Sequence, residues 1–426
     1  MEIALFGLFF LLMALFGTPL FIIIGAIALI SFHTQDIDSS AIIIEMYRLA
    51  NAPALLAIPL FTFAGYLFSE SGTPKRLVNV SKALFGWMPG GLAIVALISC
   101  AIFTAFTGAS GVTIIALGGL LLPSLLDENY PEKFSLGLLT ASGSLGLLFP
   151  PSLPIILYAL VAQISIDKLF LAGILPGTLM VVLLMAYSYF TGKRAKLPVT
   201  PFSWKNLANA VKETAWEIPL PFLIIGGIYG GFFTVTEAAA ITAVYALVAE
   251  VFFYRELNLI RDVPRIMRES MLLVGGILII LGTALGLTNY LIDAEIPTHI
   301  LHMMQQYVSS KIWFLVMLNL FLLVVGCMID IFSAIIVVVP LIAPVALSFG
   351  IDPIHLGIIF LANLGIGYTT PPVGINLFIA SFRFKKPIPQ LYMAAIPFLI
   401  ILLISLIIIT YVPDLSLFLV NLYGSP

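Results

Sequence analysis

Two apolar segments of this chain are interrupted by the stretches Thr140-Ala-Ser-Gly-Ser-Leu-Gly-Leu-Leu-Phe-Pro-Pro-Ser152 and Asn363-Leu-Gly-Ile-Gly-Tyr-Thr-Thr-Pro-Pro-Val-Gly-Ile-Asn376. Proline removes a backbone hydrogen-bond donor and clashes with the preceding helical turn, and glycine weakens a helix further. Each stretch therefore predicts a helix broken in its middle, the first over residues 134–163 and the second over residues 354–382. The carbonyl groups freed at each break need a partner.

The two stretches are related by a constant difference in residue number, the repeat offset, which aligns Pro150-Pro151 with Pro371-Pro372. Without a gap, the same offset pairs Pro123 with Pro344, Gly146 with Gly367, and Pro176 with Pro397. Self-similarity at a fixed spacing indicates an internal repeat. We interpret the chain as an N-terminal transmembrane helix in residues 1–40, a first repeat in 41–190, central scaffold helices in 191–269, a second repeat in 270–412, and a tail in 413–426.

The composition places these segments in a membrane. Of 426 residues, 61% are apolar and 9% are charged, and the mean hydropathy is +1.15. Soluble domains have about 45–50% apolar and about 25% charged residues. A net charge of −2 argues against a nucleic-acid partner. The sequence has neither a G-x-x-x-x-G-K-[ST] phosphate-binding motif nor a zinc-ligand spacing, so we expect no ATP hydrolysis and no zinc site.

The apolar segments of an all-α membrane protein can be delimited from the hydropathy. They lie at residues 3–31, 41–68, 88–125, 134–163, 168–190, 217–233, 236–254, 270–292, 311–348, 354–382 and 391–412. Segments 88–125 and 311–348 are too short for two full crossings of about 20 residues each plus a loop. Each is interrupted in its middle, at Thr107–Gly111 and at Gly326–Asp330 respectively.

The distribution of Lys and Arg sets the expected orientation, because cytoplasmic loops are enriched in both. Basic clusters occur at Lys75–Lys82, Lys193–Lys212, Arg255–Arg268 and Arg383–Lys386. With these clusters inside, residues 88–125 begin and end in the cytoplasm, and residues 311–348 begin and end outside. We therefore predict nine spanning segments and two re-entrant hairpins that enter from opposite faces. The two repeats then have inverted topology, with a cytoplasmic N-terminus and a periplasmic C-terminal tail in a bacterial inner membrane.

Asp330 is the most informative acid, because it lies at the predicted tip of the second hairpin. An Asp at the bilayer centre costs about 2.5–3.5 kcal/mol and needs a partner. No Lys or Arg is near in sequence, so a bound cation is the expected partner; the alternative is a hydrogen-bonded structural role. The first tip offers only the hydroxyls of Thr107, Ser110 and Thr113. Three other acids near segment ends are interpreted as helix caps or interfacial charges: Glu45, Glu237 and Glu250.

Breaks of this kind suit a transport site. Half-helix C-termini and free carbonyls favour a sodium ion, and half-helix N-termini favour an anionic substrate. The alternative is that the breaks are kinks that serve packing alone. Because two double prolines lie at matched positions beside two hairpin tips, we favour a binding site.

These motifs resemble those of the large membrane subunit of tripartite ATP-independent periplasmic (TRAP) transporters, over essentially the whole chain. The resemblance rests on Gly146–Tyr158, on Gly326–Asp330 followed by Ile335-Ile336 and Pro340, and on Asn363–Asn376. It is nearest to the sialic-acid branch. It implies a sodium-driven elevator that works with a small four-helix membrane subunit and a periplasmic substrate-binding protein. The implied cargo is an organic acid, such as a C4-dicarboxylate, a 2-oxo acid or sialic acid.

The resemblance also implies positions for the ions and the substrate. The sodium ligands would come from Thr107, Gly108, Ala109, Ser110 and Gly146 at the first tip, and from Gly326, Met328, Asp330 and Gly367 at the second. The substrate would lie between the tips, against Ser110, Pro150, Pro151, Ser152, Ser333, Thr369, Thr370, Pro371, Pro372 and Asn376.

Two other functions compete with this interpretation. A stand-alone symporter of sodium and divalent anions would have similar paired hairpins but would need no binding protein. A membrane-embedded enzyme, such as a lipid-linked transferase, would need clustered acids or histidines at a membrane face. The one dense acidic cluster, Asp127-Glu128 with Glu132, has the character of an exposed loop. We therefore expect a transporter and not an enzyme.

Overall fold

The computed structural model describes residues 9–10, 12–13, 16, 18–34, 38, 40–197, 199, 201–296, 298–299 and 310–423. All regular secondary structure in these ranges is helical. In chain order the helices are α1 (Leu20–Thr34), α2 (Ser40–Ala50), α3 (Ala57–Glu70), α4 (Thr73–Phe85), α5 (Gly91–Thr107), α6 (Ser110–Asp127), α7 (Glu132–Ser142), α8 (Leu153–Ala162), α9 (Ile166–Arg194), α10 (Trp204–Glu213), α11 (Pro219–Tyr229), α12 (Val235–Phe253), α13 (Asp262–Asp293), α14 (Lys311–Met328), α15 (Ile331–Ser348), α16 (Pro353–Gly367), α17 (Ile375–Phe384), α18 (Ile388–Tyr411) and α19 (Asp414–Tyr423).

Both broken helices that the glycines and prolines predict are present. The first consists of α7, a short 3-10 turn at Leu145–Leu148 and α8, and its two parts are bent by 46°. The second consists of α16 and α17, which are separated by residues 368–374. Within the described ranges, eight helices are long and apolar enough to cross a membrane, or nine if the bent pair counts as one span.

The helix boundaries follow the internal repeat. Under the repeat offset, the end of α5 at Thr107 coincides with the end of α14 at Met328. The limits of α6 coincide in the same way with those of α15, which are Ile331–Ser348. The repeat was inferred from prolines, so these boundaries support it independently. The domain limits and the membrane orientation of each repeat stay predictions.

The two repeats interlock. Helix α8 of the first broken helix packs on α15 of the second hairpin, and α17 of the second broken helix packs on α6 of the first hairpin. In the same reciprocal manner, α18 packs on α7 and α9 packs on α16. Reciprocal contacts of this kind are what a two-fold relation produces. The broken helices lie at the centre of the molecule, since every residue from Phe134 to Ser142 and from His355 to Gly367 is buried.

Several elements differ from the predicted segments. Segment 41–68 is divided into α2 and α3, because Pro53 lacks an N–H and holds Ala52 in an extended conformation. Three of the four hairpin arms, α6, α14 and α15, are long and apolar enough to cross a membrane. Each of these three arms has 18 residues, slightly fewer than the about 20 residues of a full crossing that the sequence interpretation assumed. The tail contains a helix, α19, that packs against α9 and α16. Residues 1–8, with the predicted cytoplasmic N-terminus, and residues 424–426 lie outside the described part.

Candidate functional site

Each hairpin tip touches the broken helix of its own repeat through equivalent residues. A Cβ added at Gly146 would lie 2.6 Å from the backbone nitrogen of Ala105. A Cβ added at Gly367 would lie 2.7 Å from the Cα of Gly326, and the repeat offset converts the first pair into the second. Only glycine allows backbones to approach this closely. Gly146 and Gly367 therefore lie beside the tips.

The first tip is a two-residue interruption between α5 and α6. Gly108 has a left-handed conformation (φ +65°), and its N–H donates to the Thr104 carbonyl over 2.8 Å. The Thr104 hydroxyl donates to the Gly143 carbonyl over 2.9 Å. It also lies 2.7 Å from the Thr113 hydroxyl, and because its own hydrogen is used by Gly143, Thr113 is the donor in this second contact. These bonds join both hairpin arms to the first break. Thr104 was missed in the sequence, where a threonine inside an apolar helix carries no signal.

The remaining residues predicted at this tip are Thr107, Ala109 and Ser110. Thr107 and Ser110 are buried, and the Thr107 hydroxyl donates to the Phe103 carbonyl over 3.0 Å. That bond leaves the oxygen lone pairs of Thr107 free to face a cation. Ala109 is extended and precedes a π-helical turn at Ile114–Gly118, a distortion that occurs often at functional sites.

At the second tip, Asp330 is the N-cap of α15. Its Oδ1 accepts hydrogen bonds from the backbone N–H groups of Phe332 and Ser333, each over 3.0 Å. Its Oδ2 has no hydrogen-bond partner among the described residues. The structural role considered as an alternative is therefore present, and it occupies one of the two carboxylate oxygens. Met328, another predicted ligand, is 61% exposed, so only its carbonyl is suited to an ion.

Carbonyl groups converge where the second tip meets the second break. Gly374 has a positive φ of +59°, and its N–H donates to the Cys327 carbonyl over 2.9 Å. A Cβ at Gly374 would lie 2.9 Å from the carbonyl oxygens of both Tyr368 and Thr370. Unwound backbone carbonyls of this kind coordinate sodium in other membrane transporters. Two carbonyl oxygens and the Leu377 side chain therefore border the Cβ position of Gly374, and a third carbonyl, that of Cys327, accepts its N–H.

The predicted substrate residues Ser152 and Asn376 lie at the starts of α8 and α17, and both are fully buried. Asn376 donates from Nδ2 to the Thr140 carbonyl over 3.4 Å. The Ser152 hydroxyl and the Asn376 Oδ1 are buried without a hydrogen-bond partner in the part of the chain that the structure describes. Buried polar atoms usually have a partner, and these two unpaired atoms each lie at the start of a half-helix.

The other predicted substrate residues divide into two groups. The hydroxyls of Thr369 and Thr370 both donate to the Ile366 carbonyl, over 2.9 and 3.0 Å, and so satisfy the C-terminal end of α16. Ser333 is buried beside Asp330. The proline pairs lie at the breaks, with cis peptide bonds at Pro150-Pro151 and Pro371-Pro372.

The two breaks lie side by side. A Cβ at Gly365 of the second broken helix would lie 3.7 Å from side-chain atoms of both Ser144 and Leu147 of the first. The backbone oxygen of Ser110 lies 3.2 Å from the Cβ position of Gly143. Most of the predicted residues are therefore gathered around the two breaks, and those of each tip contact the break of the same repeat.

Sequence reasoning missed a buried ionic cluster, which we call the Arg76 cluster. Arg76 of α4 contacts Glu250 over 3.0 Å and Glu256 over 2.7 Å, contacts Glu217 as well, and lies 3.7 Å from the centre of the Tyr254 ring. Burial alone would lower the pKa of Arg76, but the carboxylate partners outweigh it and raise that pKa above its ordinary value. The arginine is therefore charged, and it joins α4 to the central helices.

The interpretation of Glu250 as a cap or interfacial charge is wrong, because its side chain is fully buried. A π-helical turn at Ala249–Phe253 changes the helical register there, and sequence periodicity does not reveal it. Glu237 is a cap as predicted, in a capping box with Thr234. The side chain of Glu45 lies outside the described residues.

The architecture defines a multi-pass helical membrane protein. It is similar to the solved structure of the YdaH transporter of Alcanivorax borkumensis, with a TM-score of 0.61 and 14% identity over 84% of each chain. That likeness shows the fold alone.

Family comparison gives the class more narrowly. The family model described as "Tripartite ATP-independent periplasmic transporter, DctM component" matches residues 6–415. A C4-dicarboxylate TRAP transporter large permease protein of Pseudomonas aeruginosa is 37% identical over 401 residues, which are 94% of this chain and 93% of that protein. An ectoine/5-hydroxyectoine large permease of Ruegeria pomeroyi is 34% identical over 417 residues, 97% of each chain. This chain belongs to the DctM family of TRAP transporter large permeases, as the motifs predicted. It is a transport protein and not an enzyme.

Proposed function

We propose that this chain imports an organic acid together with sodium ions, as the large permease of a three-component transporter. The observation that carries the proposal is the pair of breaks. At each break, a glycine lets the backbone contact a hairpin tip closely. Each break also has a buried polar atom without a hydrogen-bond partner in the described structure, at the N-terminus of a half-helix. The carbonyls and hydroxyls at the tips suit sodium, and the two N-termini suit a carboxylate.

The ion ligands are proposed from the groups that converge at each tip. At the first tip these are the hydroxyls of Thr107 and Ser110 with the backbone near Gly146. At the second tip they are Asp330 and the carbonyls around Gly374, in the contact between Gly326 and Gly367. Oxygen ligands of these kinds match a hard cation.

The proposed mechanism is an elevator. Sodium orders the two tips first, and the acid then arrives from a periplasmic binding protein. The hairpins and broken helices, which pack reciprocally, move as one body against α2, α3, α11, α12 and α13. Sodium must bind the substrate-competent state more tightly than the other state, because a ligand with equal affinity for both shifts nothing.

The partners and the cargo are proposed from the family. A separate small membrane subunit of four helices would complete the membrane part, in a bacterial inner membrane with the N-terminus inside. Relatives are named for C4-dicarboxylates and for ectoine, which itself carries a carboxylate. We propose a C4-dicarboxylate or sialic acid as the cargo, since both present a carboxylate to a helix N-terminus.

The test is uptake into liposomes that contain this chain and its small membrane subunit. Labelled succinate and labelled sialic acid are supplied with or without a sodium gradient, and with or without a cognate binding protein. Uptake that needs both sodium and the binding protein is the expected result. Uptake with sodium alone would favour the stand-alone symporter, and uptake indifferent to sodium would overturn ion coupling.

A further inference from the structure

A chain of buried polar side chains runs along the second broken helix and ends close to the second tip. His355 and Asn363, two turns apart on α16, are 2% and 0% exposed. Asn363 donates from Nδ2 to the side-chain oxygen of Asn319 on α14 over 2.6 Å. Asn319 in turn bonds the hydroxyl of Thr410 on α18 over 3.2 Å. The hairpin arm α14 is thus linked by side chains to two other helices.

The outer end of the chain is fully paired. The Nε2 of His355 lies 3.2 Å from the Thr410 carbonyl, which can only accept, so Nε2 carries the proton. The Nδ1 of His355 then accepts from the Ser416 hydroxyl of α19, 3.2 Å away. These hydrogen bonds therefore connect Ser416 of α19 to Asn363, through His355, Thr410 and Asn319.

The inner end is not paired. Both hydrogens of Asn363 Nδ2 are used, by Asn319 and by the Ile359 carbonyl 2.8 Å away. This fixes the orientation of the amide and leaves Oδ1 buried without a partner in the described structure. An unpaired buried acceptor is costly. In coiled coils, a single buried Asn lowers stability but fixes the register of the two helices. A buried polar pair can have the same role here.

The pair lies on the interface that forms the second tip. Asn319 precedes Gly326 on α14 by two turns, and Asn363 precedes Gly367 on α16 by one turn. The same two helices therefore make one polar contact and one glycine contact, and a slip between them would lose both. The first repeat has no such pair, because the repeat offset places Ile98 and Ser142 there. The Ser142 hydroxyl donates to the Leu139 carbonyl of its own helix, and its contact with α5 is made with the Cys100 thiol, a weaker hydrogen-bonding partner than an asparagine amide.

We infer that Asn319 and Asn363 are positioning residues of the second ion site, which hold α14 in register against the second broken helix. The inference rests on the proposed function. It predicts that losing the pair weakens sodium binding without weakening the fold. The asymmetry between the repeats confines the effect to one of the two tips.

The test uses the full chain in lipid nanodiscs, with sodium exchanged for choline at constant ionic strength. Sodium binding is read from the rise in melting temperature with sodium, and transport from sodium-dependent uptake in liposomes. For Asn319→Leu and Asn363→Leu, we expect the half-saturating sodium concentration to rise about three- to twentyfold. This range is the measured energy of interhelical hydrogen bonds in membranes, expressed as a change in affinity. The sodium-free melting temperature should stay the same or rise in Asn363→Leu and in the double variant, which remove the unpaired Oδ1, and should fall in Asn319→Leu, which leaves a buried Asn363 Nδ2 hydrogen unpaired. If the leucine variants fold poorly, Asn363→Ser takes their place. It introduces the residue that the first repeat has at the equivalent position, and it should give the same sodium shift.

Two comparisons decide the outcome. The double variant should shift half-saturating sodium no more than either single variant, and Ser142→Ala should shift nothing. Additive shifts, or a lower melting temperature with unchanged sodium dependence, would overturn the positioning role. A sodium response that is normal in these variants but lost in Asp330→Asn would leave the proposed function intact and remove only this inference. An unmodified chain without any sodium response would instead remove the proposed function.

Discussion

At the scale of single residues, the proposed site depends on side chains that have one polar atom without a hydrogen-bond partner among the described residues. Asp330 uses Oδ1 as a helix cap and leaves Oδ2 without a partner in the described structure. Ser152 and Asn376 are buried with an unpaired atom each. The sequence indicated all three, because an acid in an apolar run and polar residues beside double prolines are local signals. Thr104 was missed, since its partners Thr113 and Gly143 are brought to it only by folding.

The charge of Asp330 can be tested separately from its capping role. Asn caps a helix about as well as Asp, whereas Ala loses about 0.5–2 kcal/mol of stability at such a position. We therefore expect Asp330→Asn to keep the melting temperature but to raise the sodium concentration for half-maximal uptake by about tenfold or more, since about 1.4 kcal/mol corresponds to a factor of ten. Asp330→Ala should show the same sodium effect and a lower melting temperature. Normal sodium dependence in Asp330→Asn would remove the residue from the ion site.

Ser152 allows a matched comparison with Ser188, whose hydroxyl is also buried and unpaired in the described structure but lies on α9. Removing an unpaired buried hydroxyl is close to neutral or stabilising. Both Ser152→Ala and Ser188→Ala should therefore keep or raise the melting temperature. Only Ser152→Ala should raise the substrate concentration for half-maximal uptake, by about tenfold, because a hydrogen bond to a charged group contributes about 1.5–3 kcal/mol. Equal uptake kinetics in the two variants would argue against a substrate contact at Ser152.

At the scale of elements, α4 is held at both ends by different parts of the molecule. Its first turns carry the Arg76 cluster, which attaches it to Glu217, just before α11, and to Glu250 of α12. Further along, the Ser99 hydroxyl of α5 bonds the Ser81 hydroxyl over 3.1 Å, which attaches α4 to the first hairpin. Helix α4 is thus the physical link between the central helices and the hairpin. The cluster could not be predicted, because the partners of Arg76 are 141 to 180 residues away in the chain.

Breaking the Arg76 cluster should cost far more than breaking an exposed ion pair. Arg76→Ala leaves buried carboxylates without a counter-charge, and losing one partner of a buried pair costs about 3–5 kcal/mol. Lys82 lies further along α4, pairs with Glu128 over 3.1 Å and has a side chain that is 42% exposed. Because exposed ion pairs contribute little, Lys82→Ala should cost at most about 1 kcal/mol. Thermal unfolding of both variants in nanodiscs measures the difference. Similar melting temperatures would show that the cluster contributes little to the fold.

At the scale of the whole molecule, the sequence predicted the repeat and its breaks better than the course of individual segments. Proline and glycine act on the backbone next to them, so both breaks could be located without tertiary information. The reciprocal packing of α8 on α15 and of α17 on α6 could not, because it depends on contacts between the repeats. The helix in the tail was missed for a similar reason, since α19 is held by α9 and α16.

The elevator proposal requires α3 to stay still while α5 moves, and two aromatic pairs test this. The rings of Phe68 on α3 and Phe106 on α5 are 5.6 Å apart, across the proposed boundary. The rings of Tyr158 on α8 and Phe360 on α16 are 5.5 Å apart, inside the proposed moving body. Each pair is replaced by cysteines in a chain that lacks the native Cys100 and Cys327, and is joined by a short, reducible thiol cross-linker.

Comparing each variant before and after cross-linking removes the effect of the substitutions themselves. Joining positions 68 and 106 should abolish uptake, and reduction should restore it, because a rigid body tied to its scaffold cannot cross the membrane. Joining positions 158 and 360 should leave uptake unchanged. If uptake survives the first cross-link, α3 and the first hairpin do not move past each other, and alternating access must arise from motion confined to the tips. If the second cross-link also blocks uptake, the broken helices flex against one another and do not travel as one body.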